Sequence, residues 1–230
     1  MSTIRIASFD MGKKNFAFCI EEFTISEVSE LKKLNIPLKQ RYKENGIATP
    51  KMEELLEKIF SNGKLVLYKN LDLTRNGDNN HEIFNTMNDE MDKYTSFWDS
   101  CACFVIEEQM CFGKKVNKMA LKLGQHCYSY FTFKYGRFKK VIEFPAYHKT
   151  QVLGAPKIQH KTKTGKIKFK AMEKKDRKKW SVDKAIEILT SRGEIDFLET
   201  LTSVKKKDDL ADVLTQLQAF KYKAFVEQIY

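Results

Sequence analysis

The chain has no Cys-x-x-Cys pair, and its five cysteines (Cys19, Cys101, Cys103, Cys111 and Cys127) are odd in number. Neither a disulfide framework nor a zinc cluster is expected, and a reducing compartment fits best. The four histidines lack His-x-x-x-His spacing. No apolar run approaches the ~18 residues of a membrane helix, and the first residues show no signal-peptide pattern. Internal repeats and low-complexity tracts are missing as well. The expectation is an intracellular, soluble protein with no membrane partner.

Acidic charge is also in short supply. The 230 residues carry a formal net charge of +11. With 42% hydrophobic residues, the chain can fill the core of one ordinary domain. A basic surplus of this size points to an acidic partner, nucleic acid first; a lysine-rich surface with no partner is the plainer alternative. The surplus is local. Ala155 to Trp180 holds eleven Lys or Arg against Glu173 and Asp176, which leaves nine of the chain's eleven net charges there. The bases are Lys157, Lys161, Lys163, Lys166, Lys168, Lys170, Lys174, Lys175, Arg177, Lys178 and Lys179, interleaved with Ile158, Ile167, Phe169 and Trp180. Self-repulsion predicts a segment that stays mobile until phosphates neutralise it, or else a solvated face.

Hydrophobic patterning organises the rest. Ile4–Phe9 and Asn15–Phe23 flank a turn containing Gly12 and read as a strand–turn–strand unit. Residues 24–63 read as a polar insertion with a helical stretch at Met52–Phe60. A strand is expected at Lys64–Thr74, a loop at Arg75–Asn80 and a helix over Glu82–Trp98. Cys101–Gln109 is the strongest buried strand. Val116, Met119, Leu123, Cys127 and Tyr130 then mark one face of a helix over Lys114–Tyr135. Lys139–Ala146 is a further strand ended by Pro145. One helix follows Ser181 as N-cap, and a last helix carries Leu210, Val213, Leu214 and Leu217 toward Tyr230. Antiparallel strands followed by alternating strands and helices define an α/β fold with a mixed sheet, here a single domain over 1–230.

Acids recur at the ends of these elements. Asp10 closes the first strand, and Glu107 follows Phe104-Val105-Ile106. Asp208, Asp209 and Asp212 open the last helix, where carboxylates are favourable in themselves. At 100° per residue Asp209 borders the apolar stripe, about 90° from its centre. Asp208 points away and is the expected solvent cap. Asp212 lies nearer the polar side but one turn from Asp209, so the two can converge on one ion. Carboxylates gathered from several elements form the oxygen-rich environment that Mg²⁺ prefers. Two such ions about 3.5–4 Å apart can clamp an in-line displacement at phosphorus.

Four motifs, in order, resemble the poxvirus-type Holliday junction resolvases, relatives of RuvC. They are the Asp-x-Gly-x-x-Asn turn of SFDMGKKNFAF, the Glu of VIEEQ, the Lys, Val and Gly of YHKTQVLG, and the Asp-x-x-Asp-x-Leu of DDLADVLTQL. The resemblance frames residues 1–23 and 101–220, and its long insertions favour a relative from a large DNA virus. It implies a ribonuclease H-like fold and an endonuclease that cuts four-way and other branched DNA. It also implies a homodimer, two Mg²⁺ per active site with Mn²⁺ able to substitute, and action in the cytoplasm or nucleus of an infected cell.

Carried over by residue, Asp10, Glu107, Asp209 and Asp212 would be the metal ligands, with Glu107 preferred to Glu108 because the family has Glu-x-Gln here, matched by Glu107-Glu108-Gln109; strand alternation agrees that only one of the pair can face the site. Lys149 would contact the scissile phosphate or stabilise transition-state charge. Lys13 and Lys14, beside Asp10, join the basic segment as candidate DNA contacts. Asn15 would orient the turn, and Gly12 would supply a backbone conformation that other residues resist. The helix bearing Met119 and Tyr130 is either a core helix or part of the dimer face. Three rivals remain. A sugar-kinase or actin-like ATPase shares the first motif but needs a second half that this chain is too short to contain. A nuclease for RNA–DNA hybrids would use the same acids. A non-catalytic binding module would gain nothing from acids clustered beside phosphate.

Overall fold

Alternation along the first strands creates two apolar faces. In a computed structural model, which describes residues 2–34, 36–109, 116–162 and 164–230, β1 (Thr3–Asp10) pairs antiparallel with β2 (Phe16–Thr24). Ala7, Phe9, Phe16, Phe18 and Ile20 point to one side, and Ile6, Ala17 and Cys19 to the other. Both sides are buried over the middle of these strands, so a helix layer is required on each face.

β3 (Lys64–Leu71) adds antiparallel to β2, while β4 (Cys101–Glu108) and β5 (Lys140–Pro145) run parallel to β1. The resulting five-stranded order is β3-β2-β1-β4-β5, the mixed sheet expected from sequence. One face carries α4 (Asn80–Lys93), α5 (Thr95–Ser100) and α6 (Lys118–Tyr135) over an aromatic cluster of Phe9, Phe16, Phe18, Trp98, Phe104 and Phe131. The other carries α8 (Lys174–Ser191), α9 (Ile195–Ser203) and α10 (Lys207–Lys221), with α10 laid across β1 and β2.

The segment 24–63 joins this second core. It forms α1 (Ile25–Glu30), a 3₁₀ turn (Leu31–Leu34), α2 (Leu38–Arg41) and α3 (Pro50–Ser61). Val28, Ile36, Ala48, Met52, Leu55, Leu56, Ile59 and Phe60 are all buried there. Its loop also braces the chain beyond α7 (Tyr147–Val152): the Tyr42 hydroxyl donates to Val152 O at 2.7 Å and Lys157 N donates to Asn45 O at 2.6 Å.

Several local expectations are corrected. The helix expected over Glu82–Trp98 breaks at Tyr94, which turns Trp98 into the core, where its indole N–H donates to Met91 O at 2.6 Å. In α6 the deepest stripe is Leu123, Cys127 and Phe131; Tyr130 is half-buried and donates from its hydroxyl to Asp92. Leu123 and Cys127 belong to the core on this side of the sheet, so one face of the helix is core. Its expected start at Lys114 lies outside the described residues.

The largest difference is in the basic segment. β6 (Ile158–Lys161) and β7 (Ile167–Lys170) form a two-stranded hairpin, and α8 begins at Lys174, seven residues before Ser181. Lys and Arg are good helix formers, and Lys179 pairs with Asp183 one turn on. Half-buried Trp180 anchors the turn on the core, so Ser181 sits inside the helix rather than at its cap. The four described cysteines are free and buried.

Candidate metal centre

Strand parity places the first two acids. Asp10 shares its side of β1 with Ile6 and Ser8, and Glu107 shares its side of β4 with Cys103 and Val105. Both therefore face α10, whereas Glu108 follows Phe104 and Ile106 to the opposite side and is exposed. β1 and β4 are parallel neighbours, so their carboxyl ends coincide. Asp212, in the second turn of α10, completes the group. Carboxylate oxygens of Asp10, Glu107 and Asp212 lie within 4.8 Å of one another, close enough for one ion.

Lys149, from α7, reaches into this group and is 7% exposed. Its Nζ lies 2.9 Å from Glu107 Oε2 and 3.1 Å from Asp212 Oδ2. Burial works against its charge, but Glu107, Asp212 and Asp10 outweigh that and hold its pKa above the ordinary lysine value. Asp10 shows the opposite balance. Burial first, then Glu107, Asp212 and Asp209, push its carboxyl well above the usual range despite Lys149. Three acids around one lysine leave a local surplus of negative charge that a divalent cation would offset. The all-oxygen donor set fits a hard cation such as Mg²⁺ or Mn²⁺, and Asp10, Glu107 and Asp212 are the residues that could hold one.

Asp209 stands apart from this trio among the described residues. It is buried and pairs with Lys206 Nζ at 3.2 Å, and burial followed by Asp208 raises its pKa. Lys206 Nζ is 3.2 Å from Asp209 Oδ2 as an ion pair and donates to Oδ1 at 3.5 Å. Asp208 is not a solvent cap. It is half-buried against Lys178 of α8, which holds its carboxyl below the usual range in spite of burial. Asn15 does tie down the turn: in the orientation that satisfies both ends of its amide, it donates to Lys14 O and accepts from Lys206 Nζ, each at 3.1 Å. Gly12 lies outside the left-handed region, so conformational freedom is not its reason. Space is the reason, since a Cβ there would approach Asn15 O to 2.9 Å.

Three residues that support the site escaped sequence reasoning. Gln216, one turn beyond Asp212, donates from Nε2 to Ser8 Oγ at 3.0 Å and to Phe9 O at 3.2 Å, which fixes α10 over β1. Ser181 Oγ donates to Asp212 Oδ1 at 2.7 Å. Lys206 bridges Asn15 and Asp209. The clue for Gln216 and Ser181 was polarity on faces that are otherwise apolar.

The candidate DNA contacts are distributed as follows. Lys14, Lys157, Lys161, Lys166, Lys168, Lys170, Lys174, Lys175, Arg177 and Lys179 are exposed. Lys13 pairs with Asp78 at 2.7 Å, and Lys178 is engaged by Asp208. Lys170 pairs with Glu173 at 2.9 Å. Lys163 lies outside the described residues.

A mixed five-stranded sheet of order β3-β2-β1-β4-β5, flanked by helices on both faces and crossed by the last helix, is a ribonuclease H-like fold. Solved structures agree on the fold. The Holliday junction resolvase of fowlpox virus superposes with a TM-score of 0.52 at 15% identity, covering 96% of this chain and 99% of that one. The fowlpox virus resolvase in complex with its substrate Holliday junction DNA gives 0.52 at 17% identity, with 96% and 98% covered. RuvC of Thermus thermophilus gives 0.52 at 9%, with the same coverage. No family model matches the sequence. Protein 170L of Invertebrate iridescent virus 6 is 36% identical over 235 residues, covering 95% of this chain and 89% of its own. Protein 97L of Invertebrate iridescent virus 3 is 32% identical over 235 residues, covering 94% and 98%. The chain belongs to the family of these iridescent-virus proteins, and its fold is the one seen in the Holliday junction resolvases.

Proposed function

We propose that this protein is a Mg²⁺-dependent endonuclease that cuts branched DNA, with four-way junctions as its principal substrate, during viral DNA recombination and replication in the infected cell. The observation that carries this reading is the convergence of Asp10, Glu107 and Asp212 within 4.8 Å, with Lys149 buried between two of them. Divalent ions held there would supply charge neutralisation and an activated water for phosphodiester hydrolysis, leaving 5′-phosphate and 3′-hydroxyl ends. Lys149, buried between Glu107 and Asp212, would meet the charge that builds on the scissile phosphate. Asp209, a turn from Asp212, is the candidate fourth ligand, and a second ion would draw it from Lys206. The exposed bases of β6, β7 and α8 would hold the phosphates of the arms. Symmetric cutting of two strands needs two such sites, so a homodimer is the expected working form.

The test is a panel of synthetic four-way junction, linear duplex and RNA–DNA hybrid, each with Mg²⁺, Mn²⁺ or EDTA. Metal-dependent cutting of the junction, abolished by Asp10→Asn with junction binding retained, is expected. Preference for the hybrid would replace this reading with that of a ribonuclease, and binding without cutting under any metal would leave only a binding module.

A further inference from the structure

The hydroxyl of Ser181 has no task in the helix that contains it. Ser181 lies in the middle of α8, is 2% exposed, and its hydroxyl crosses to α10. It donates to Asp212 Oδ1 at 2.7 Å and sits 3.2 Å from Thr215 Oγ1. Thr215 has its own acceptor, Ala211 O at 2.8 Å, so the Ser181 proton is free for the carboxylate. The other oxygen of Asp212, Oδ2, is the one 3.1 Å from Lys149 Nζ, which in turn lies 2.9 Å from Glu107. One oxygen is thus held by the serine and the other faces the acids.

We propose that Ser181 is a positioning residue for the metal centre: its hydroxyl fixes the carboxylate of Asp212 so that Oδ2 alone is presented toward Asp10 and Glu107. This inference rests on the metal-site reading above. Asp212 is on the rim of α10, where a free carboxylate would sample several rotamers, and α10 supplies no donor that holds it among the described residues. A hydrogen bond from a buried hydroxyl selects one rotamer and occupies the oxygen that does not ligate. Partners of this kind, one step behind the ligand, typically account for ~10–100-fold in metal affinity or activity. A second grip comes from the same helix, since Lys178, three residues earlier, holds Asp208. The acids of α10 are therefore set by the helix that also carries the exposed bases Lys174, Lys175, Arg177 and Lys179.

The test is direct Mn²⁺ binding to the DNA-free protein, followed by the electron paramagnetic resonance of free Mn²⁺. Wild type, Ser181→Ala, Ser181→Cys and Asp10→Asn are compared, with junction affinity in EDTA measured alongside. Ser181→Ala should bind Mn²⁺ about 10-fold more weakly than wild type, with junction affinity in EDTA unchanged. Ser181→Cys keeps the packing but offers a poorer donor; it should fall between the two, and it decides the matter if the alanine variant fails to fold. Mn²⁺ affinity within twofold of wild type in the serine variants overturns the role of Ser181 and leaves the metal site intact. A wild type that binds Mn²⁺ no better than Asp10→Asn overturns the metal-site reading itself, and this inference with it.

Discussion

At Asp10, burial and the neighbouring acids oppose the ionisation that metal binding needs. On the proposed metal-site reading a bound cation would offset this cost; without one, the ionised carboxylate would weaken the fold. Asp10→Asn removes a charge from the cluster while keeping the shape of the side chain. In EDTA the variant should therefore melt above wild type, by roughly 2–8 °C if ~1–2 kcal/mol of repulsion and desolvation is relieved. Mg²⁺ should raise the melting temperature of wild type and leave the variant unmoved, because only the protein with a site gains from binding. Calorimetry with and without metal checks both. A variant that melts below wild type in EDTA would mean that Asp10 is structural. Asp10 and Glu107 stood out in the sequence because each ends a buried apolar run, although that alone did not separate Glu107 from the exposed Glu108 beside it. Asp212 was legible through its spacing of one turn from Asp209 and through the resemblance, although the structure sets it with Asp10 and Glu107 and leaves Asp209 apart. Helical phase left it near the polar side, and the surface it faces is built by Lys149 and Ser181 from other elements.

Among the elements, the sheet could be read closely and the helix α8 could not. β1, β2 and β4 announce themselves through period-two apolar patterning, and their pairing follows from the short turn and the parallel crossover. α8 hid its start because its first turn is nearly all charge, which carries no apolar period, although Lys and Arg propagate a helix well. The structure sharpens what that charge can do. Lys178 is held by Asp208, so it is a poor candidate for a phosphate contact, while Lys174, Lys175, Arg177 and Lys179 point into solvent. Replacing these four with glutamine should weaken junction binding and flatten its salt dependence, with a loss of ~0.9 in the logarithmic slope for each phosphate contact removed. Affinity measured from low to moderate salt gives that slope directly. An unchanged slope would make the segment a solvated face. Glutamine at Lys178 should behave differently, costing stability through Asp208 more than it costs salt-dependent binding.

For the whole molecule, the feature furthest from any motif is a buried charge cluster at the end of α10 remote from the acids. Glu21 of β2 is fully buried. It accepts from Lys221 Nζ at 2.6 Å, from Arg192 at 3.1 and 3.2 Å, and from Gln218 Nε2 at 2.7 Å. Lys221 also donates to Ile59 O at 2.9 Å, and Arg192 donates to Phe60 O, so α3, β2, α8 and α10 meet at one point. A Cβ at Gly63 would collide with the Glu21 carboxylate, which explains a glycine at the head of β3. Sequence patterning had no access to this cluster, because Glu21 sits in an apolar strand and its partners lie up to 200 residues away. Burial raises the cost of the Glu21 charge, but Arg192 and Lys221 more than offset it and leave its pKa below the ordinary value. A carboxyl depressed in the folded state contributes stability that is present above its unfolded pKa, ~4.3. That contribution is lost as pH falls through the lower folded value. Glu21→Gln strands two buried cations and should cost ~3–5 kcal/mol at neutral pH, as broken buried pairs do. The gap between wild type and variant should then narrow as pH drops below about 4, where the wild-type carboxyl also takes up its proton. Urea unfolding of both proteins at neutral and acid pH measures the gap. A gap that is constant with pH would assign the loss to packing, and no gap at all would show that the cluster is not what joins α10 to the sheet.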